Sequence, residues 1–556
     1  MSKEKLADYI FSRITKAGVQ HTFGIPGDFI LPFYAAQTRT SLKTVVMTHE
    51  PSVGYAADAY ARLRGLGVAL VTYGAGGLNM VNPVGLAYAE ESPLLVISGS
   101  PETRFRKGKP HLHHCVKTFE TQHDVFAQVT AATTILDNQT TAVEEVDRVF
   151  STMSRTSRPG YIELPRDMVN AEVETDADDA GRADRALQAS AQAGQRQSAR
   201  KEAIAEIVDR LKHATHPILM VGVQIRRFGL KDAVIALAEA LNIPVVTSIL
   251  GKATFPETHP NFIGNYFGQF GNPVLKQYVE KSDCVISLGA VLTEMETAGY
   301  TAKLDETNLI QINHHETIIG HHVYHDLDLN DMVRELLDVI GGKLEPTVRF
   351  EIPNIPAEAI QHPAGQKKLT VAGMIECLNQ LMDKRDFSVV TDTGDCMYAG
   401  MSLKTDIFLA PGYYVSMGFG VPAAIGAQLA MPSLRPIVLV GDGAFQMTGM
   451  EISTAVKMGL NPIVIVFNNQ SYAMLRFIDQ QRDYFDLNGW DYVGLARAVG
   501  AEGERADSKE NFARALDMAV KSDKTFVIDA MLEKEDISPT LRRLTDHFSK
   551  KVKAAL

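Results

Sequence analysis

The sequence predicts an α/β protein made of three doubly wound, parallel-sheet domains. Three observations carry that prediction. First, short apolar runs alternate with longer amphipathic stretches throughout: VALVTYG, PLLVISG, HPILMVG, IPVVTSI, DCVISLG, LIQIN, FSVVTDTG, PIVLVGDG, PIVIVFNN and TFVIDAM. That is the pattern of strands buried on both faces beneath crossover helices. Second, many of these runs end in Gly, Asp or Asn, and open parallel sheets collect ligands beyond the carboxyl ends of their strands. Third, two composition shifts divide the chain. Residues 175–198, rich in Ala, Asp, Gln and Ser, read as a linker or a solvated helix, and residues 344–365, with four prolines, read as an extended connection. The expected domains therefore span 1–175, 195–343 and 366–556. A small-residue helix followed by an apolar strand recurs in the first and last of them, a hint of duplicated topology.

Composition narrows the functional classes. The 556 residues include 45% hydrophobic and 22% charged side chains, with a net charge of -11. Such a chain can bury large cores and shows no basic balance suited to nucleic acid. Cys115, Cys284, Cys377 and Cys396 are far apart and form no C-x-x-C pair. This argues against a zinc knuckle or disulfide framework and points to a reducing cytoplasm. The start, MSKEKLADYIFSRITKAGVQ, has no apolar core or cleavage signal. Residues 65–89 lack charge but hold six glycines with Asn79, Asn82 and Pro83, so they read as buried α/β core and not as a membrane span.

In the first block, FGIPGDFILPFY supplies Asp28 and THEPSVGYAADAYAR supplies Glu50 at the start of an Ala-rich helix. Alone, Glu50 reads as an acid facing a helix dipole. HLHHCVKTFETQHDVF carries the adjacent pair His113 and His114, in isolation a surface or metal-binding accident. The middle block reads as its own α/β unit without a G-x-G-x-x-G fingerprint. Its INHHETIIGHHVYH holds His314, His315, His321, His322 and His325, read as a solvated loop because no carboxylate or Cys pattern supports a metal site.

The last block carries the sharpest signal, GDGAFQMTGMEISTAVKMGLNPIVIVFNN at 441–469. A lone GDG is a turn. Here a helix and a strand separate it from Asn-Asn, and a right-handed βαβ crossover sets the two strand ends side by side. Asp442 and Asn469 then offer hard oxygen donors for magnesium or calcium, while the flanking glycines let backbone N–H groups approach a phosphate.

The GDG…NN spacing resembles the cofactor motif of enzymes that use thiamine diphosphate. The resemblance implies that Asp442, the Asn469 side chain and the Ser471 backbone oxygen ligate Mg²⁺, which grips the diphosphate beside Gly443 and Ala444. Thr393, Gly394 and Asp395 in TDTGDCMY match the second diphosphate contact, and Thr72 joins the cofactor contacts. Glu50 takes the place of the glutamate that hydrogen-bonds the pyrimidine ring. YYVSMGFGVPAAIGAQ matches the pyrimidine-binding loop, with Met417 as the apolar wedge under the bent cofactor and the Ser416 or Met417 backbone near the amino-pyrimidine. The blocks become pyrimidine-binding, middle and diphosphate-binding domains. The family's site, shared between the first domain of one subunit and the last domain of another, implies at least a homodimer, with a homotetramer as the larger expectation.

Within that family, Asp28, His113 and His114 beside Glu50 resemble the non-oxidative 2-keto acid decarboxylases acting on pyruvate, indolepyruvate and phenylpyruvate. The implied reaction converts a 2-keto acid to an aldehyde and CO₂, with Asp28, His113 and His114 as the proton relay; histidine suits it because its pKa lies near neutrality. One position departs from the pyruvate-type pattern, which has a glutamate six residues after the second Asn: here that residue is Leu475. NNQSYAMLRF resembles the phenylpyruvate branch, and Met397, Met474, Leu475 and Phe477 are expected to line an apolar pocket for an aromatic or bulky side chain. Glu294, in GAVLTEMETAGY, is a candidate replacement acid. The rival readings are a carboligase resembling acetolactate synthase and a catalytically silent thiamine-binding subunit.

Overall fold

The computed structural model describes residues 2–175, 193–343, 350–356, 367–479 and 482–555. The first unit contains β1 (Ser2–Lys5), β2 (His21–Gly24), β3 (Lys43–Val46), β4 (Gly67–Val71), β5 (Leu94–Ser100), β6 (Ala132–Ile135), β7 (Gly160–Pro165) and β8 (Glu172–Thr175). Its parallel sheet runs β3-β2-β4-β5-β7-β6, and β1 pairs antiparallel with β8 to tie the ends of the unit together. The last unit contains β16 (Ser388–Thr391), β17 (Phe408–Leu409), β18 (Pro436–Gly441), β19 (Ile463–Asn468), β20 (Glu502–Ala506) and β21 (Phe526–Met531), ordered β17-β16-β18-β19-β21-β20. Numbered within each unit, both sheets read 2-1-3-4-6-5: the topology is duplicated, as the recurring pattern suggested.

The middle unit is wound differently. Its strands are β9 (Pro217–Val221), β10 (Val245–Thr247), β11 (Phe262–Asn265), β12 (Cys284–Leu288), β13 (Leu309–Asn313), β14 (Glu316–Ile319) and β15 (His322–His325), in the order β11-β10-β9-β12-β13-β14-β15. β14 and β15 run antiparallel, so this sheet is mixed where a purely parallel one was expected. The five histidines lie here, on an edge hairpin and its turns, not in a plain solvated loop. His322 Nδ1 sits 3.0 Å from Glu206. His314 is half-buried and stacked on Phe228 at 4.4 Å, and desolvation, with help from His315, pushes its pKa down to about 4.

All ten apolar runs are strands. The uncharged 65–89 run is β4 followed by helices Ala75–Asn79 and Val81–Ala89, and no helix among the described residues is long and apolar enough to cross a membrane. Of the expected linker, Thr175 ends β8, 176–192 lies outside the described residues, and helix Ala193–His213 covers the rest. Of the Pro-rich connection, 350–356 carries no helix or strand, and 344–349 and 357–365 lie outside the described residues.

The first and last units meet through helices Glu50–Arg64 and Gly420–Ala430. Both are rich in Ala and Gly, so their backbones approach closely: a Cβ on Gly426 would lie 1.9 Å from the Ala56 carbonyl oxygen. A buried polar network locks the contact. Arg62 bonds Asp58 at 2.7 Å, Glu90 at 3.0 Å and the Ala410 carbonyl at 2.9 Å, and Glu90 Oε1 accepts the Tyr413 and Tyr414 amides at 2.8 and 2.9 Å. Each buried charge is therefore paired and hydrogen-bonded, the condition for tolerating it. Gly426→Ala should cost roughly 1–3 kcal/mol, the usual penalty of overpacking, read as a lowered denaturation midpoint; an unchanged midpoint would show that the units do not depend on this contact.

Candidate active site

β18 and β19 are adjacent and parallel, with Gly441 opposite Phe467, so the GDG turn and the Asn-Asn end stand side by side as expected. The helix starts at Asp442 itself and is broken by a 3-10 turn at Gly449–Glu451, where one continuous helix was expected. A cavity of about 310 Å³ opens at the carboxyl ends of β16, β18 and β19, walled by Thr393, Gly394, Asp442, Gly443, Ala444, Asn469 and Ser471. This is the switch point of the last sheet, between β16 and β18, where open sheets bind ligands.

Asp442 is buried. Its Oδ1 accepts the Gly443 amide at 2.8 Å and its Oδ2 the Gln470 amide at 2.6 Å. Burial pushes its pKa up to about 6, against the pull of these N–H groups. The Ser471 hydroxyl is engaged by Arg476 at 3.0 Å and by the Phe485 carbonyl at 3.2 Å, while its main-chain oxygen accepts the Ala473 amide at 2.9 Å and keeps a second lone pair. A Cβ on Gly443 would lie 2.5 Å from the Tyr472 ring, so this wall must be bare backbone. A buried carboxylate, an amide oxygen and a main-chain oxygen on one wall fit a hard divalent cation.

The other cavity residues sort themselves. Val415 and Met417 line it, as do Met295, Tyr398, Met474 and Leu475, and Leu475 is 47% exposed at the mouth. Ser416 turns the other way, its hydroxyl 2.5 Å from Tyr55 and 3.0 Å from Asn82 of the first unit. The Asp395 carboxylate accepts the Ser538 amide at 2.9 Å, anchoring the approach to helix Pro539–Ala555. Two expected pocket residues are placed elsewhere. Met397 is fully buried in the core cluster with Leu378, Val389 and Leu439. Phe477 packs against that core with the Arg542 guanidinium 5.2 Å from its ring; it belongs to the contact with the C-terminal helix. Glu294 sits near the wall: the phenol of Tyr398 is pushed up by burial, then by the charges of Asp395 and Glu294.

The first-unit candidates form a second cluster, at the carboxyl ends of β2, β3 and β4. His113 Nε2 lies 2.6 Å from Asp28 Oδ2. Burial raises the Asp28 carboxyl, but His113 outweighs it and holds it below the usual range. Thr72 donates to Asp28 at 3.4 Å. His114 adopts φ +66°, a left-handed conformation, and its carbonyl packs against Gly74, where a Cβ would lie 2.0 Å away. That bend sets the two adjacent rings on one side, with centroids 4.9 Å apart. Asp28, His113 and His114 bring their ligand atoms within 4.8 Å of one another, but the hydrogen bond between Asp28 and His113 satisfies both without an ion. Glu50 accepts from Asn79 at 3.0 Å. None of these residues lines the cavity of their own chain.

Sequence reasoning missed the residues that hold these groups: Asn79, Asn82, Tyr55, and Asp392, which accepts the Gly418 and Gly420 amides beside Met417. Only Asp392 carried a visible hint, as an acid between a strand and the Thr-Gly turn.

Family models match three segments: the thiamine pyrophosphate enzyme N-terminal TPP binding domain at 4–127, central domain at 204–340 and C-terminal TPP binding domain at 392–530. An indole-3-pyruvate decarboxylase of Azospirillum brasilense is 38% identical over 97% of both chains. The chain belongs to the thiamine pyrophosphate enzymes, in their 2-keto acid decarboxylase family. A pyruvate decarboxylase of Aspergillus fumigatus is 28% identical over 97% of this chain and 96% of its own. A thiamine metabolism regulatory protein of Saccharomyces cerevisiae is 26% identical over 96% and 90%.

A cation held by Asp442 requires the ionised carboxylate, and its pKa is raised to about 6. Mg²⁺ affinity should therefore be full above that pH and fall below it by up to about tenfold per pH unit. Calorimetric titration across pH 5–8 checks this; affinity that stays flat through the acid range, or survives Asp442→Ala, would remove Asp442 from the ligand set.

Proposed function

We propose that this protein converts 2-keto acids to aldehydes and CO₂, non-oxidatively, with thiamine diphosphate and Mg²⁺, and that it favours aromatic or bulky substrates such as phenylpyruvate or indolepyruvate. The observation that carries the substrate preference is Leu475. An apolar side chain stands at the cavity mouth, with Met474 and Met295 beside it, where the pyruvate-type pattern has a carboxylate. The indole-3-pyruvate decarboxylase relative agrees with a large apolar substrate.

Asp442, Asn469 and the Ser471 backbone would hold Mg²⁺, with Thr393, Gly394, Gly443 and Ala444 at the diphosphate and Met417 under the bend. When bound, the coenzyme supplies a nucleophilic ring carbon and a cationic ring that accepts the electron pair released as CO₂. Glu50, oriented by Asn79, would hold a proton at the pyrimidine ring. The pair of Asp28 and His113, with His114 alongside, would deliver and withdraw protons at the substrate carbon, and Glu294 would add a carboxyl from the middle unit. An apolar side chain replaces the usual carboxylate beside the substrate, so a charged group there would be costly to desolvate against an aryl or long alkyl side chain.

Glu50, Asp28 and the histidine pair lie away from the cavity of their own chain, which supports a site completed by a second copy. The exposed Tyr413, Tyr414, Val415, Met447 and Met450 suit such a contact. A homodimer is the minimal working unit on this reading, and a homotetramer the larger assembly. The four free cysteines accord with the cytoplasm.

Three measurements test the proposal. CO₂ release should occur with a series of 2-keto acids and cease when thiamine diphosphate or Mg²⁺ is withheld; a folded, cofactor-loaded protein releasing none would favour a silent role of the kind suggested by the regulatory relative. Glu50→Gln should lose roughly 10²-fold or more in rate with its melting curve intact, and near-normal turnover would cancel the assigned role. Leu475→Glu should shift selectivity away from phenylpyruvate toward pyruvate; identical relative rates would take Leu475 out of the substrate pocket.

A further inference from the structure

We propose that Asp392 is the positioning residue of the coenzyme loop, tying residues 416–420 to the diphosphate end of the cavity. This rests on the thiamine diphosphate reading of the site and not on the choice of keto acid. β16 ends at Thr391, and Asp392 follows it with its side chain fully buried. Its Oδ1 accepts the Thr393 amide at 2.9 Å and the Gly418 amide at 3.1 Å, and its Oδ2 accepts the Gly420 amide at 2.7 Å. One carboxylate thus joins three structures: the Thr393–Gly394 turn, the loop bearing Met417, and the first residue of helix Gly420–Ala430, whose own N-cap Phe419 offers no side-chain bond.

The loop around these bonds is constrained from every side. Gly418 has φ +88°, a conformation that disfavours any side chain, and its carbonyl accepts the Thr448 hydroxyl at 2.6 Å. A Cβ on Gly420 would lie 3.3 Å from Asp392 Oδ2. Ser416 is held from the first unit by Tyr55 and Asn82. Met417 is therefore the unpinned residue between fixed neighbours, and it faces the cavity.

The chemistry explains why an acid is used. Three N–H donors are divided over both oxygens, and only an ionised carboxylate accepts at both; an asparagine would set an NH₂ donor against a backbone N–H. No lysine, arginine or histidine forms an ion pair with Asp392 among the described residues, so it is a buried anion held by amides alone. Burial pushes its pKa up to about 6 and the three amides hold it back. A negative charge at the start of Gly420–Ala430 also complements the helix dipole. Nothing in the fold requires a lone buried anion at this strand end except the placement of the loop.

Asp392→Asn in the full-length protein is the test, with Asp392→Glu as the variant that keeps the charge. Calorimetry with saturating Mg²⁺ compares two ligands: thiamine diphosphate, which needs loop and metal ends together, and inorganic pyrophosphate, which needs the metal end alone. Asp392→Asn should weaken thiamine diphosphate by about tenfold or more while pyrophosphate stays within about threefold. Hydrogen exchange at Gly418 and Gly420 should accelerate, with the Asp442 segment unchanged. Equal weakening of both ligands in the two folded variants, or unaltered coenzyme affinity, would overturn the assignment. Failure to bind thiamine diphosphate in the wild-type protein would instead overturn the coenzyme reading itself. Should Asp392→Asn not fold, Asp392→Glu decides: its longer side chain should displace the loop and show the same split between ligands, and the absence of a split would refute the role.

Discussion

The structure depends on one close approach, that of helix Glu50–Arg64 to helix Gly420–Ala430. Small side chains let the backbones touch at Gly426, and everything that places the functional groups is measured from that contact. Tyr55 reaches Ser416 beside Met417, and Arg62 with Glu90 holds the 410–414 segment that leads into the same loop. At the other end, Thr48 donates its amide and hydroxyl to Glu451 at 3.0 and 2.6 Å, two residues before Glu50. A larger residue at the crossing would move both ends of the arrangement together, since close-packed interfaces transmit displacement.

The duplicated topology gives each outer unit a switch point, and the two have diverged in chemistry. The first unit offers titratable side chains, Asp28, Glu50, His113 and His114, in an exposed cluster suited to moving protons. The last offers buried carboxylates and bare backbone, Asp392, Asp442 and Gly443, suited to holding an anion through a cation and a shaped loop. Desolvation makes Asp442 costly as a free carboxylate, a cost that a divalent ion would relieve. The middle unit contributes to the cavity wall through Met295; its buried Glu296 instead accepts the Ile249 and Leu250 amides at 2.7 and 2.8 Å and serves the local fold.

Full-length similarity reaches both decarboxylases and a regulatory protein, so it establishes the family while leaving the reaction to be argued from the site. Asp442, Asn469 and Ser471 line one cavity with Leu475; on the proposed reading the first three are the holding groups and Leu475 the selective one.

The sequence by itself determined the α/β class, the ten apolar strands and the nearness of Asp442 to Asn469, while the grouping of Asp28 with His113 came only from the family resemblance. The first three follow from hydrophobic runs, turn residues and crossover handedness, which are local or nearly so. It left out short, half-exposed strands such as β3, β6 and β20, whose polar alternation resembles loop, and it read the β14–β15 hairpin as loop because histidines hid the strand pattern. It assigned Met397 and Phe477 to the pocket because spacing cannot say which way a side chain turns on a one-turn helix packed between a sheet and another helix. Only the tertiary structure decided that Asp392 clamps the coenzyme loop, that Ser416 faces the first unit, and that His114 bends left-handed against Gly74. Each of these is a contact between segments separated in sequence, and burial, which strengthens such contacts, exists only once the units have packed.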